Sequence, residues 1–320
     1  AWKFGFTATP WGSRLAEQFD ELVLGPEINT LIAAGALVRP RIFNKELVTE
    51  KELKKLKVDS KTKDYVTGEA SKLMSRPKII GDVVANWLRL ANGDRTVVFA
   101  CDKAHGAHLL VEFSKAGVPC EQITDEDDDD TREAVIARLN AGTTKVIINC
   151  FLLSYGVDIP SIECVVLARP TRSLVMYLQS VWRGGTPFPG KTHYKVIDHG
   201  RVIRHLRSPT YDREWVMPRK KGEDDNKEEE PTVREKVDEA PMHCAECSCQ
   251  WLVTEEGKCC PHCGWVPKPL PMAVQTVAAD LGESPEDLAP IETLQEFYQQ
   301  ACFWYKRRWP DRWAAKQNSA

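Results

Sequence analysis

Residues Lys145–Thr192 read KVIINCFLLSYGVDIPSIECVVLARPTRSLVMYLQSVWRGGTPFPGKT. The stretch opens on a short apolar run, Val146 to Ile148, of the kind a buried strand carries. A polar loop follows with Ser154, Gly156 and Asp158 in the order S-x-G-x-D-I-P. A second apolar run, Cys164 to Ala168, reads as another buried strand. Ser173 to Arg183 then reads as a helix, with Leu174, Met176, Tyr177, Leu178 and Val181 apolar and Gln179 near its end.

Working outward, the same alternation continues. Upstream come a helix over Ile79–Ala91, a strand over Arg95–Ala100 and a helix over Lys103–Ala116 stopped by Gly117, a residue that accepts the left-handed conformation of a helix end. A strand over Val118–Thr124 and a helix over Thr131–Asn140 follow, and downstream His193–His199 is a further strand. Strands alternating with helices at this rhythm imply right-handed βαβ units and a parallel sheet, an α/β fold. The acidic run Asp125–Asp130 stands directly before a helix, where carboxylates complement the dipole and cap free N–H groups; that explains it better than a metal site. Leu15–Ala36 reads as a helix with an exposed acidic face. Lys45–Lys63 (KELVTEKELKKLKVDSKTK) reads as a solvated helix or connector, although its lysines also suit a phosphate backbone.

The Gly/Asp loop after one strand and the Gln…Arg helix end after the next resemble motifs V and VI of superfamily 2 helicases. Phe4–Pro10 (FGFTATP) resembles motif III, which closes the first RecA-like lobe of that family, and Arg95–Ala100 resembles motif IV. The segment F-D-x-L-V-x-G-P within Phe19–Pro26 is similar to the piece linking the two lobes. The resemblance covers roughly Phe4 to Arg207 and is closest to DEAD/DEAH-type helicases of bacterial and phage or prophage origin, which carry a similar Cys-rich tail. It implies a RecA-like parallel sheet with flanking helices, and ATP held between two lobes. The first lobe supplies the phosphate loop and Mg²⁺ motif, and the second supplies motif VI arginines that stabilise charge on the transferred phosphoryl group. Carried over residue by residue, Arg183 and Gln179 take the catalytic positions, and Gly156, Asp158 and Arg183 the nucleotide cleft. Thr7, Thr9 and Ser154 would couple that cleft to nucleic acid.

Motif VI departs from the family's Q-x-x-G-R-x-x-R. Gln179 and Arg183 match, but Trp182 replaces the glycine and Thr186 the second arginine. Threonine brings no charge, and Trp182 puts bulk where close approach is expected. Impaired ATP turnover follows as an expectation.

Two motif matches are chance. Gly185–Thr192 fits G-x-x-x-x-G-K-[ST], but it follows a helix and precedes a strand, and Pro187 and Pro189 remove N–H donors that a phosphate cradle uses. Asp238-Glu239-Ala240 sits in a charged linker with no strand before it. No phosphate loop or Mg²⁺ motif remains, so ATP and Mg²⁺ are expected only together with a first lobe, on a longer polypeptide or a separate chain. A sequence that starts with Ala1 inside motif III reads as a fragment.

Toward the other end, Tyr211–Ala240 holds a basic patch (Arg219-Lys220-Lys221) and then acids, too few apolar groups to order itself. Cys244-Ala-Glu-Cys247, twelve residues, then Cys260-Pro-His-Cys263-Gly264 gives two knuckles of a four-cysteine zinc ribbon. The metal is expected to be structural, with Cys249, Cys259 and His262 as bystanders, any of which could substitute for a ligand, and Trp251 and Trp265 packed over the knuckles rather than stacked on bases. Ile291–Trp309 has apolar residues at helical spacing and ends in Lys306-Arg307-Arg308-Trp309-Pro310, which reads as a terminal helix docked on the body or touching nucleic acid.

Composition bounds the rest. At 320 residues the chain should hold about two domains; it has 11 Cys, no secretion signal and no apolar run of membrane length. Those cysteines point to a reducing compartment and to metal, and a cytoplasmic location in a bacterium or phage-infected host is expected. The net charge of −3 gives no global sign of nucleic-acid binding, so any basic surface must be local. The resulting division is 1–10 the end of a first lobe, 11–76 a connector, 77–210 the second RecA-like domain, 211–240 a disordered linker, 241–268 the zinc ribbon and 269–320 a helical tail. The expected function is the C-terminal part of an ATP-dependent helicase acting on nucleic acid, DNA rather than RNA. The alternative is a non-catalytic zinc-ribbon binding or adaptor remnant of such a helicase.

Overall fold

The computed structural model of the chain describes residues 5–10, 15–44, 47–150, 158–216, 233–235, 241–251 and 256–267. Six strands lie parallel: Arg39–Asn44 (β1), Thr96–Phe99 (β2), Cys120–Ile123 (β3), Val146–Asn149 (β4), Cys164–Leu167 (β5) and His193–Asp198 (β6), in the order β3-β4-β2-β5-β6-β1. Val97 faces Ile147 on one side and Val165 on the other, and Val165 faces Val196 beyond. Strands β2, β4 and β5 are buried along their whole length, which is why they read as unbroken apolar runs.

Four short helices come first in the chain: Leu15–Gln18 (α1), Ile28–Ala33 (α2), Glu50–Leu53 (α3) and Thr67–Met74 (α4). The sheet is then flanked by Pro77–Ala91 (α5), Lys103–Lys115 (α6), Asp129–Ala141 (α7), Leu174–Val181 (α8) and Val202–Leu206 (α9). On one face α5 and α6 pack Val83, Trp87, Leu109 and Phe113 over Val98, Ile148, Val166 and Ile197. Trp87 meets Phe113 edge-on at 5.6 Å, and its Nε1 donates to Thr96 Oγ1 at 2.7 Å. On the other face α7, α8 and α9 bring Val135, Leu139, Tyr177 and Ile203 onto Ile147, Val165, Leu167 and Val196. This is the RecA-like arrangement expected.

Local chemistry sets the helix ends. Pro77 opens α5 at a position whose N–H would be unpaired anyway. Asp102 caps α6 by accepting from His105 N at 2.8 Å, and α7 stops on Gly142 at φ 76°. The acidic run is spent on structure. Asp128 caps α7 through Thr131 N at 2.8 Å, Asp127 accepts from Thr124 N at 2.6 Å, and Asp125 and Glu126 both pair with Lys103.

Three expectations are corrected. The single helix over Leu15–Ala36 is two short ones, because Gly25-Pro26 interrupts it and proline holds the preceding residue extended. The helix over Lys45–Lys63 is only α3, closed at its start by a capping box between Thr49 and Glu52 and followed by turns and a Val58–Tyr65 bridge. The Cys-rich ribbon is no separate module. Met242–His243 (β9) pairs with Cys249–Trp251 (β10), and β10 extends the sheet antiparallel to β1, Ile42 opposite Gln250 and Phe43 opposite Cys249. Strand β1, unassigned from sequence, is thus the joint between the two. Within the stretch read as a linker, Arg213–Trp215 (β7) pairs antiparallel with Val233–Glu235 (β8). The expected helix over Ile291–Trp309 lies outside the described residues.

Gly200, just past β6, is needed for close approach. A Cβ there would fall against the carbonyl oxygen of Arg169 and 2.8 Å from Pro170 N, both backbone atoms that cannot swing aside. Gly200→Ala is expected to cost about 1–3 kcal/mol or more, read as a lower urea midpoint; an unchanged midpoint would show that the strand ends are not packed this tightly.

Candidate functional site

Parallel strands send all their carboxyl ends to one edge of the sheet, and ligands of such folds sit there. The segments at this edge are Ala100–Asp102 after β2, Cys150 after β4, Ala168–Arg172 after β5 and His199–Arg201 after β6. Ser154 and Gly156 lie outside the described residues. The other predicted residues can be placed.

Helix α8 starts from Ser173, whose side chain accepts from Met176 N, and carries Gln179 toward the N-terminal segment. Gln179 Nε2 donates to Thr9 Oγ1 at 3.4 Å, so the predicted motif III and motif VI residues meet. Thr9 is buried, and its N–H donates to Thr7 Oγ1 at 3.1 Å. Beyond α8 the chain turns through Trp182–Gly184 and presents Arg183 half-buried. Burial lowers the Arg183 pKa and the carboxylate of Asp158 opposes that shift, which places the two charges in each other's field. Asp158 itself is exposed and accepts from Thr186 Oγ1 at 2.9 Å. The threonine that stands where an arginine is expected therefore closes onto the motif V aspartate.

Trp182 stands where the family's motif has glycine. It packs on the second core, 6.4 Å from the Tyr194 ring, and the close approach belongs to Gly184, whose Cβ would run into that ring. The chance phosphate-loop match is also explained in space: Lys191 Nζ donates to the carbonyls of Pro160 and Thr186, at 3.0 Å each, and strand β6 follows it.

One important group was not found in the sequence. Asp64 is buried at the carboxyl edge, with Oδ2 accepting from Thr171 Oγ1 at 2.6 Å and Oδ1 from Arg172 N at 2.7 Å; Arg169 approaches at 3.6 Å. Because Thr171 Oγ1 also accepts from Ser173 N, Asp64 fixes the loop from which α8 starts. A lone aspartate in a lysine-rich stretch gives no sequence signal for this.

The Cys-rich cluster is the second site. The thiols of Cys244, Cys247, Cys260 and Cys263 lie within 4.8 Å of one another, a set that could hold a metal ion. Burial pushes the Cys244 thiol up, but N–H groups of Cys247 and Glu246 outweigh it and bring it down to about 7. Ser248 and Gly264 follow the two knuckles at φ 64° and 74°, the left-handed turns that fold each pair back on itself. Trp251 is buried with Nε1 donating to Gly257 O at 2.8 Å, Trp265 packs on the first core, and His262 meets Phe43 edge-on at 4.9 Å.

Residues 77–186 match the family described as helicase conserved C-terminal domain. They are the C-terminal domain of a superfamily 2 helicase. The curated relatives of this helicase domain include a 51.5 kDa protein of Lactococcus phage (isolate 7-9), 28% identical over 57% of the chain. "Putative ATP-dependent helicase IRC3" of Saccharomyces cerevisiae is 29% identical over 44% of the chain. The type I restriction enzyme EcoKI endonuclease subunit of Escherichia coli is 32% identical over 39%. The matched stretches are 39%, 21% and 12% of those relatives' own lengths. Among solved structures, the fragment of an HsdR subunit assigned to a type I restriction enzyme of Vibrio vulnificus YJ016 has a TM-score of 0.50 at 21% identity, covering 63% of this chain and 40% of that one. That likeness supports the fold. Among the described residues, no helix is long and apolar enough to cross a membrane.

Lys191, beside the Thr186–Asp158 bond, gives this turn a pH signature. Burial lowers the Lys191 amine from 10.5 to about 8. Between those values the unfolded chain keeps a proton there that the folded one has lost, so this group's contribution to stability rises with pH across that window. The unfolding free energy of wild type, relative to Lys191→Met, should therefore climb from about pH 8 to pH 10.5 in urea titrations. A flat difference would contradict the buried amine.

Proposed function

We propose that the chain is the C-terminal part of an ATP-dependent superfamily 2 helicase, which couples ATP hydrolysis to movement along nucleic acid only together with a first RecA-like lobe. The observation that carries this reading is the contact of Gln179 with Thr9, which joins the end of one lobe to the motif VI helix of the next. ATP and Mg²⁺ would be held between the lobes. There Arg183 would face a phosphate, Asp158 and Gly156 would line the cleft, and Thr7, Thr9 and Ser154 would relay its state to the strand. Arginine suits that role because its charge is permanent and its donors are fixed in a plane. DNA is the proposed polymer, favoured by the restriction-enzyme relative. The proposed setting is the cytoplasm of a bacterium or of a phage-infected host, in line with the phage relative. A separate chain could supply the first lobe.

The Cys cluster fits zinc. A tetrahedron with Zn–S bonds of about 2.3 Å has sulfur–sulfur edges of about 3.8 Å. The pairs Cys244–Cys263 and Cys247–Cys260 stand at 3.5 and 3.6 Å. Four thiolates would close the coordination shell, which assigns the ion a structural role, here clamping β9 and β10 to the sheet edge. Purified chain should carry about one zinc by elemental analysis, and a strong chelator or Cys260→Ser should lower its melting temperature. Metal-free protein with an unchanged melt would contradict the assignment.

The bond from Thr186 to Asp158 favours a second reading, a remnant that binds nucleic acid without turnover. The two separate in the polypeptide that includes the first lobe. There Thr186→Arg is expected to raise DNA-stimulated ATP hydrolysis by at least about tenfold, an arginine finger being worth about 10³–10⁵. No hydrolysis in either form would support the remnant.

A further inference from the structure

The arm Val48–Val66, read from sequence as a solvated connector, is built onto the carboxyl edge of the sheet. Val48 and Leu53 are buried with Met74, Ile79 and Cys101, the last of these just past β2. Arg201, just past β6, donates to Val48 O at 3.5 Å, and Asp64 binds Thr171 and Arg172, just past β5. The arm thus rests on the ends of three strands.

Its far end is a closed loop. Val58 bridges Tyr65, Asp59 N donates to Asp64 O at 2.8 Å, Val66 N donates to Lys57 O at 2.9 Å, and Lys63 turns with φ 56°.

The charges of the arm are sorted. Each carboxylate is occupied: Glu50 by Lys54, Glu52 by Thr49 and Arg76, Asp59 by the N–H groups of Lys61 and Thr62, and Glu69 by Lys57. Lys51, Lys55, Lys61 and Lys63 are exposed, and no carboxylate among the described residues pairs with them. Repelling amines held on an ordered scaffold, with the neighbouring acids turned to other work, suit a regularly spaced polyanion.

We propose that this arm is a nucleic-acid contact surface, its four lysines gripping the phosphate backbone beside the strand ends. The proposal rests on the reading above that the domain acts on nucleic acid, and it adds a surface outside the helicase motifs.

The test is binding of the whole chain to a fluorescent duplex DNA, followed by anisotropy from about 50 to 200 mM salt. The variant is Lys51→Gln, Lys55→Gln, Lys61→Gln and Lys63→Gln together. Each phosphate contact contributes about 0.9 to the slope of log affinity against log salt, so the variant's slope should be shallower by about 3–4. Lys115→Gln with Lys145→Gln, at the opposite edge of the sheet, should leave the slope unchanged. If the fourfold variant melts early, Lys61→Gln with Lys63→Gln at the loop alone should remove about 2 of the slope. Equal slopes for wild type and variant would overturn the arm's role while leaving the helicase reading intact. No DNA binding by the wild-type chain would likewise overturn the arm's role.

Discussion

A parallel ladder fixes direction, and in this protein direction decides everything else. With six strands all pointing one way, the polar segments that follow them gather at one edge, while the intervening helices cover the faces. Asp64, Arg169, Thr171 and Arg201 come from stretches far apart in sequence, yet all are brought to that edge. The apolar runs of β2, β4 and β5 hold the platform, and small donors and acceptors between loops do the positioning. Asp64 shows how: one buried carboxylate fixes the start of α8, and α8 carries the helicase domain's Gln179 and leads to Arg183.

The other edge of the ladder raises a different physical problem. An edge strand exposes unpaired N–H and C=O groups and invites association. Here β10 covers β1, and Phe43 sits against His262 and beside the buried Cys249. The cysteine cluster therefore has a reason to exist inside the fold. A ribbon too small to order itself can cover a strand edge only if something cross-links it.

Much of this was legible in the sequence. The core strands and α5 to α8 were readable because burial on both faces leaves continuous apolar runs, helices show apolar spacing, and Gly117 marks a helix end. The four cysteines were readable from spacing alone. What escaped reading was set by distant contact. Strand β1 contains Pro40, which weakens a strand assignment, and it becomes a strand only by pairing with β6 and β10. The lysine-rich arm has the composition of a helix, but its acids bond to local backbone and pull it into turns. Thr186 was noticed as a missing charge; that its hydroxyl would close onto Asp158 depends on how two loops meet.

The proposed function makes this domain one half of a two-lobe motor, with Gln179 reaching back to the segment read as the end of the other half. The mass of the natural polypeptide, measured intact from its source, addresses that most directly. A product longer by a RecA-like lobe, bearing a phosphate loop and an acidic Mg²⁺ motif ahead of Ala1, is the predicted result. A product that begins at or near Ala1, with no partner chain carrying those motifs, would contradict it.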